Sequence, residues 1–126
     1  MKKVIVTGGA GFIGSNLVKK LLDLNVEKLL IIDDLSTGNE SNISSVVSDE
    51  RVQFLNSKIE DIENLSELFK DYDFCYHLAA GVGVQYIMDN LSESLLTNIL
   101  ATHRVLEACQ VNGLPVLLTS TSEVYG

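Results

Sequence analysis

The residues best suited to chemistry lie in the first fourteen positions. The stretch TGGAGFIG fills positions 7–14. It fits G-x-G-x-x-G on Gly9, Gly11 and Gly14, and T-G-x-x-G-x-x-G on Gly8, Gly11 and Gly14. Such a run suits the binding of a diphosphate. Glycine allows positive φ at a tight turn. The missing side chain at Gly11 lets a diphosphate approach the backbone, and Gly14 lets the next helix pack closely on the sheet. The helix N-terminus adds free N–H groups and about half a positive charge. Asp33 follows about 20 residues on, where a dinucleotide fingerprint requires an acidic group. A carboxylate there can accept both ribose hydroxyls of NAD and would repel the 2′-phosphate of NADP. No Arg or Lys occurs from Asp34 to Glu50 to offset that repulsion. The expected cofactor is NAD, with Asp34 in a secondary role.

A glycine pattern carries weight only between a strand and a helix, and the flanking periodicity provides both. Positions 3–7 form a continuous apolar run, as in a strand buried on both faces. From Phe12 to Leu24 the apolar residues recur at helical spacing. Further strands are expected at 28–33 (KLLIID), 51–56 (RVQFLN), 72–78 (YDFCYHL) and 116–120, the last opened by Pro115, the chain's one proline. The stretch 36–49 is polar and reads as a loop with a short helix. Asp61 is placed to cap a helix bearing Ile62, Leu65, Leu68 and Phe69 on one face. A long helix runs from an Asn90/Glu93 capping pair to about Val111, with an apolar face of Leu91, Leu95, Ile99, Leu106 and Cys109, and ends at Gly113. This alternation predicts an α/β fold, a Rossmann-type doubly wound parallel sheet of order 3-2-1-4-5 that stops after its fifth strand. In that arrangement Asp61 and Ile62 come near the adenine edge. Asp61 could accept from the adenine amino group while Ile62 packs on the ring.

The bulk properties narrow the partners. The 126 residues carry 17 acidic and 9 basic side chains, a net charge of −8, which repels nucleic acid and anionic lipid. No apolar run is long enough to span a bilayer, and the N-terminus does not read as a signal peptide. The two cysteines, Cys75 and Cys109, form no CxxC motif or His/Cys cluster, so no metal is expected. Both read as reduced core residues of a cytoplasmic protein.

The motifs together resemble the extended short-chain dehydrogenase/reductase family, in its NAD-dependent epimerase/dehydratase branch. The resemblance rests on TGGAGFIG at 7–14, DDLSTG at 33–38, Asp61-Ile62, HLAA at 77–80, Thr97-Asn98 and STSEVYG at 120–126, in that order along nearly the whole chain. It implies that Phe12 and Ile13 cover the diphosphate. It implies that Asp33, Asp34, Leu35, Ser36, Thr37 and Gly38 surround the adenosine ribose, and that Leu78, Ala79 and Ala80 line the ribose–diphosphate path. Asn98 is similar to a helix asparagine near the family's active site. His77 matches a structural position, and His103 reads as a solvated helix residue.

The resemblance further implies a nucleotide-sugar substrate, a parent enzyme that dimerises through helices including the one at 90–111, and a catalytic role for Thr121, flanked by Ser122 and Glu123. T-S-E-V-Y-G is similar to the segment of UDP-glucuronate decarboxylases, with sugar 4,6-dehydratases close by. The stretch 81–86 instead resembles sugar 4-epimerases of the UDP-glucose 4-epimerase type, and the reaction stays open among the three. The family's tyrosine belongs to a Y-x-x-x-K element, and none of Tyr72, Tyr76, Tyr86 and Tyr125 has a lysine four residues later. The chain therefore reads as an N-terminal cofactor-binding portion that binds NAD weakly and turns over no sugar by itself. A non-catalytic NAD-sensing module of the same fold is the alternative from another class.

Overall fold

A computed structural model of the chain describes residues 2–36, 38–78 and 91–119, with 91–98 described by their backbone alone. The five apolar runs become five strands: β1 (Lys3–Thr7), β2 (Lys28–Asp33), β3 (Val52–Asn56), β4 (Phe74–His77) and β5 (Val116–Leu118). All pair in parallel in the order β3-β2-β1-β4-β5, as the alternation predicts. Parallel pairing brings Thr7, Asp33, Asn56 and His77 to one edge of the sheet, in neighbouring registers.

The two-residue period of the strands sorts the core into two layers. Val4, Val6, Leu29 and Ile31 face helix α1 (Phe12–Asp23), through Val18, Leu21 and Leu22, together with Ile43 and Val46 from the polar loop. Ile5, Leu30, Ile32 and Cys75 face the other way. They meet Leu65 and Phe69 around helix α2 (Leu65–Leu68), and Val105, Ala108 and Cys109 of helix α3 (Leu91–Val111). Among the described residues, no helix is long and apolar enough to cross a membrane.

Both long helices stop on a residue in the left-handed region. Asn25 (φ 64°) follows α1 and Gly113 (φ 63°) follows α3. In each case the next residue's N–H bonds back across the turn, from Val26 to Leu21 and from Leu114 to Cys109. This is the Schellman pattern. A Cβ at Gly113 would meet no atom, so its backbone angle alone is what favours glycine there.

Three expectations need correction. Asp61 caps no helix. It is the last residue of a 3₁₀ turn (Ile59–Asp61), and α2 begins later, after Asn64. The expected apolar face is right in its residues but spans a helix of only four residues, with Leu65 and Phe69 buried and Ile62 and Leu68 half-buried. The face of α3 is also only partly the one expected. Cys109 is buried as expected, but Ile99 is 63% exposed and Leu106 is exposed too, while Val105 and Ala108 pack on the sheet, with Ala101 beside them. Ile99 and Leu106 point away from the sheet, and the smaller Val105 and Ala108 fill the buried stripe instead. Leu91 and Leu95 lie among the side chains outside the description, as does the Asn90 capping pair. Cys75 and Cys109 are buried and unbridged. Their mutual sulfur contact and burial hold the Cys75 thiol well above its ordinary pKa, and both are core residues, as expected.

Candidate functional site

The turn after β1 is assembled by close approach. Gly8 adopts φ 74°, in the region glycine tolerates, and its N–H donates to the Ile32 carbonyl at 2.8 Å. Gly9 packs against the Ile31 side chain of β2, where a Cβ would come within 2.6 Å of Ile31 Cγ2. Gly14 sits beneath the turn, where a Cβ would stand 2.1 Å from the Gly8 carbonyl oxygen. Any side chain at 14 would push α1 away from the turn. Gly11 is the N-cap of α1 and offers no side-chain acceptor, and no acidic residue lies in the first turn. The N–H groups of the first helical residues, Phe12, Ile13 and Gly14, are those for which a helix has no internal partner. Phe12 and Ile13 flank them, 81% and 70% exposed. Two large apolar side chains stand in solvent beside a cluster of backbone donors.

Asp33 closes the turn from the neighbouring strand. Its side chain is buried. Oδ2 accepts the Ala10 N–H at 2.9 Å and Oδ1 accepts the Leu35 N–H at 2.8 Å. The carboxylate is thus a strut between the turn and the loop after β2. Each oxygen keeps a second lone-pair direction for another donor. Leu35 pays for this contact with φ 63°, a strained angle for a branched side chain. Asp34 is exposed, and its Oδ1 accepts the Ser36 N–H. Gly38 passes so close to Ala10 that a Cβ would lie 3.0 Å from its carbonyl carbon and oxygen. That carbonyl accepts two bonds from the loop, from Asn39 N–H at 3.1 Å and Asn42 Nδ2 at 2.8 Å. Reading the sequence did not single out Asn39 or Asn42. Their only signal there was an Asn-rich polar stretch.

Asp61 and Ile62 follow β3. Asp61 is exposed, while Ile62 is half-buried against the protein's own core. Arg104 of α3 holds this turn from behind, donating Nη1 to the Ile59 carbonyl at 2.6 Å and Nη2 to the Ile62 carbonyl. This clamp also had no sequence signal, because the partners lie more than forty positions apart.

On the far side of β1, His77 is buried between two threonines. Nδ1 bonds Thr7 Oγ1 at 2.6 Å, and Nε2 bonds Thr102 Oγ1 at 3.1 Å. Burial lowers its pKa to about 4, so the ring is neutral near pH 7, with one nitrogen donating and the other accepting. The expectation of a structural histidine agrees with this geometry. His103 is exposed, beside Glu107. The Leu78 N–H reaches the Thr7 carbonyl at 3.1 Å and extends β4 past the sheet edge. Asn98 lies on α3 one turn before Thr102, described by its backbone alone. Thr37, Ala79, Ala80, the stretch 81–86, Thr121, Ser122, Glu123 and Tyr125 lie outside the described residues.

The structure therefore brings residues 8–14, Asp33, Asp34, Leu35, Ser36, Gly38 and Leu78 to one sheet edge, beside the topological switch where chain order reverses between β1 and β4. Comparison with known proteins bears on what such an edge is used for. The chain is 34% identical over 124 residues to UDP-glucuronic acid decarboxylase 6 of Arabidopsis thaliana, covering 98% of this chain and 35% of that protein. The solved UDP-N-acetylglucosamine 4-epimerase of Methanobrevibacter ruminantium superposes with a TM-score of 0.88 at 36% identity, over 99% of this chain and 39% of that one. A dTDP-glucose 4,6-dehydratase of Streptomyces venezuelae, solved with NAD bound, gives 0.89 at 34% identity, over 98% and 41%. The chain spans only 27–39% of the length of the curated relatives it matches. The family model described as GDP-mannose 4,6 dehydratase matches residues 5–126. With that match across nearly its whole length, the chain belongs to the GDP-mannose 4,6 dehydratase family, within the epimerase/dehydratase branch that its motifs resemble.

Proposed function

We propose that residues 1–126 are the NAD-binding portion of a nucleotide-sugar epimerase of the UDP-glucose 4-epimerase type. The observation that carries this reading is the turn at 8–14. It offers backbone donors at a helix start, with Gly14 lodged under Gly8 and a buried carboxylate at the neighbouring strand end. NAD fits these residues. Its diphosphate would take the N–H groups of Phe12, Ile13 and Gly14, with the side chains of Phe12 and Ile13 shielding it from water. The free lone pairs of Asp33 would take the adenosine ribose, with Asp34, Leu35, Ser36, Thr37 and Gly38 around it. Asp61 and Ile62 would meet the adenine. Leu78, Ala79 and Ala80 would line the path toward the reacting ring, with Asn98 nearby.

When bound, NAD supplies a hydride acceptor for a sugar carbon, opening a route through a transient keto-sugar. The Thr121 hydroxyl would hydrogen-bond the sugar oxygen, with Ser122 and Glu123 next to it. The chain contains no Y-x-x-x-K, so it has no lysine-paired tyrosine to move the hydroxyl proton, and no turnover is expected from it alone. A second reading, a UDP-glucuronate decarboxylase or a 4,6-dehydratase, is favoured by Ser122-Glu123 after Thr121 and by the decarboxylase relatives. We also propose a cytoplasmic parent enzyme that forms a homodimer. The exposed Ile99, Leu100, Leu106 and Val111 on α3 support the dimer, and two buried free thiols support a reducing compartment.

Calorimetric titration of this chain with NAD and NADP tests the cofactor assignment. The expected result is NAD binding at least about tenfold tighter, a difference of about 1.4 kcal/mol. NADP binding as tightly as NAD would overturn the role given to Asp33. Measurable turnover of UDP-glucose by this chain would overturn the role given to the missing tyrosine–lysine pair.

A further inference from the structure

The loop after β2 is more than a connection. Asn39 turns its side chain onto the Ser41 N–H at 2.9 Å, which starts the 3₁₀ turn (Glu40–Asn42). That turn puts Asn42 over the Ala10 peptide. Immediately afterwards Ile43 enters the core, fully buried, with Val46 close behind. The loop is therefore nailed to the sheet at its far end, and its near end passes Ala10 at the one place where Gly38 lets it come close. Between these points the Ala10 peptide is held on both sides. Its N–H is bound by Asp33, and its carbonyl by the Asn39 N–H and the Asn42 amide.

Ala10 is the residue between Gly9 and Gly11, in the middle of the turn. A Gly-rich turn has the largest conformational entropy to lose on ordering. Left alone, it would give up that entropy each time an anion bound. Bonds to the Ala10 carbonyl remove this cost beforehand, as pre-organisation does in general. Of the two loop donors, the Asn39 N–H is backbone and survives any substitution except proline. The Asn42 amide is the side-chain part of the clamp. It reaches across 32 positions of sequence and is half-buried.

From this geometry we infer that Asn42 is a positioning residue. By holding the Ala10 carbonyl, it orders the turn at 8–14 before ligand arrives and so raises affinity for a dinucleotide without belonging to the helix-start donors. The inference rests on the cofactor reading given above for its ligand, but the ordering of the turn can be measured without one.

The test compares Asn42→Ala, Asn42→Asp and the loop control Ser44→Ala, whose hydroxyl bonds only the Ser41 carbonyl among its described partners. Asn42→Asp keeps the shape, removes the donor and turns an oxygen toward the Ala10 carbonyl. Two readouts are taken on the full 126-residue chain. One is amide hydrogen exchange without ligand at Ala10, Gly11 and Ser15, whose N–H groups are bonded within the turn, and the other is the NAD dissociation constant well below every variant's Tm. Expected are exchange at Ala10, Gly11 and Ser15 faster by roughly tenfold in both Asn42 variants and NAD binding weaker by about fivefold, the range one lost hydrogen bond allows. Ser44→Ala should change neither. Unchanged exchange at these three amides in Asn42→Ala overturns the inference, whatever the binding does. Faster exchange with unchanged NAD affinity overturns it as well, since Asn42 would then be merely structural. A wild-type chain that takes up no NAD refutes the cofactor reading instead, and the exchange arm by itself then decides whether Asn42 orders the turn.

Discussion

Two turns serve the same sheet edge and are held in different ways. The turn after β1 takes its shape from its own glycines, Gly8 for angle and Gly14 for clearance, and is tied on both sides of Ala10, by Asp33 and by Asn39 and Asn42 of the next loop. The turn after β3 is secured from outside, by the Arg104 guanidinium of α3 on the carbonyls of Ile59 and Ile62. The first depends on missing side chains, which nothing can replace. The second depends on one long side chain with several ways to relax. The difference predicts a brittle turn after β1 and a forgiving turn after β3, and it can be tested by breaking each in turn.

The largest effect should come from Gly14→Ala. A Cβ 2.1 Å from the Gly8 carbonyl oxygen cannot be absorbed by a rotamer change, because both partners are backbone. The helix must move off the turn. A loss of about 3 kcal/mol in urea unfolding is expected, at the upper end for overpacking, together with loss of NAD binding. A stability within about 0.5 kcal/mol of wild type, the range of a neutral surface change, would show that α1 can shift freely and that the turn is not brittle.

Asp33→Ala should follow, at about 2 kcal/mol, because it strips a charged acceptor from the N–H groups of Ala10 and Leu35. The strut makes this a structural lesion as well as a ligand one. Amide exchange at Ala10 and Leu35 should therefore rise in the free protein. If only NAD affinity changes, the carboxylate serves the ligand alone and the comparison weakens.

How much of this was legible depends on where the partners lie. The strand order, both long helices, and the glycine and Asp33 positions all follow from local patterns of two, three or four residues. They are repeated so consistently that the topology rules leave little choice. The carboxylate as a strut was hidden, because a fingerprint records which residue occurs and not that its oxygens already hold two backbone donors. Asn42, Arg104 and the His77–Thr102 contact were hidden for another reason. Each joins segments 25 or more positions apart, and periodicity carries no information at that range. On α3 the pattern points correctly to Cys109 but not to Val105 and Ala108, because the bulkier Ile99 and Leu106 stand out in the sequence while smaller residues fill the buried stripe.

His77 gives an intermediate test of how the two sides of β1 are tied. Its native pKa is lowered to about 4 by burial, against about 6.5 in an unfolded chain. The unfolded state therefore takes up the proton first as pH falls. The contribution of neutral His77 is fully present above about pH 6.5 and is lost progressively on the way down to about 4, at most about 3 kcal/mol and about 2 after allowance for partial solvation. Urea unfolding of wild type and His77→Gln at pH 7 and pH 5 should show a steeper loss in wild type. Equal slopes would mean that the ring titrates alike in both states and that the Thr7 and Thr102 bonds are not kept in solution.

The smallest effect should be that of Arg104→Met, and it sharpens the comparison most. Methionine keeps most of the apolar stem and removes the guanidinium, so packing against the core is largely retained. The carbonyls of Ile59 and Ile62 lose a charged donor, but Arg104 is only half-buried and water can replace it. The expected loss is thus about 1 kcal/mol, below the usual value for a charged hydrogen bond. The informative readout is where flexibility appears. Amide exchange should rise at Asp61 and Ile62, whose N–H groups close the 3₁₀ turn onto Lys58 and Ile59, while Ala10, Gly11 and Ser15 stay as protected as in wild type. Were exchange at these three amides to rise by the same factor, the two turns would form one cooperative unit joined through α3 and the sheet. A brittle turn and a forgiving one would then be two ends of a single structure.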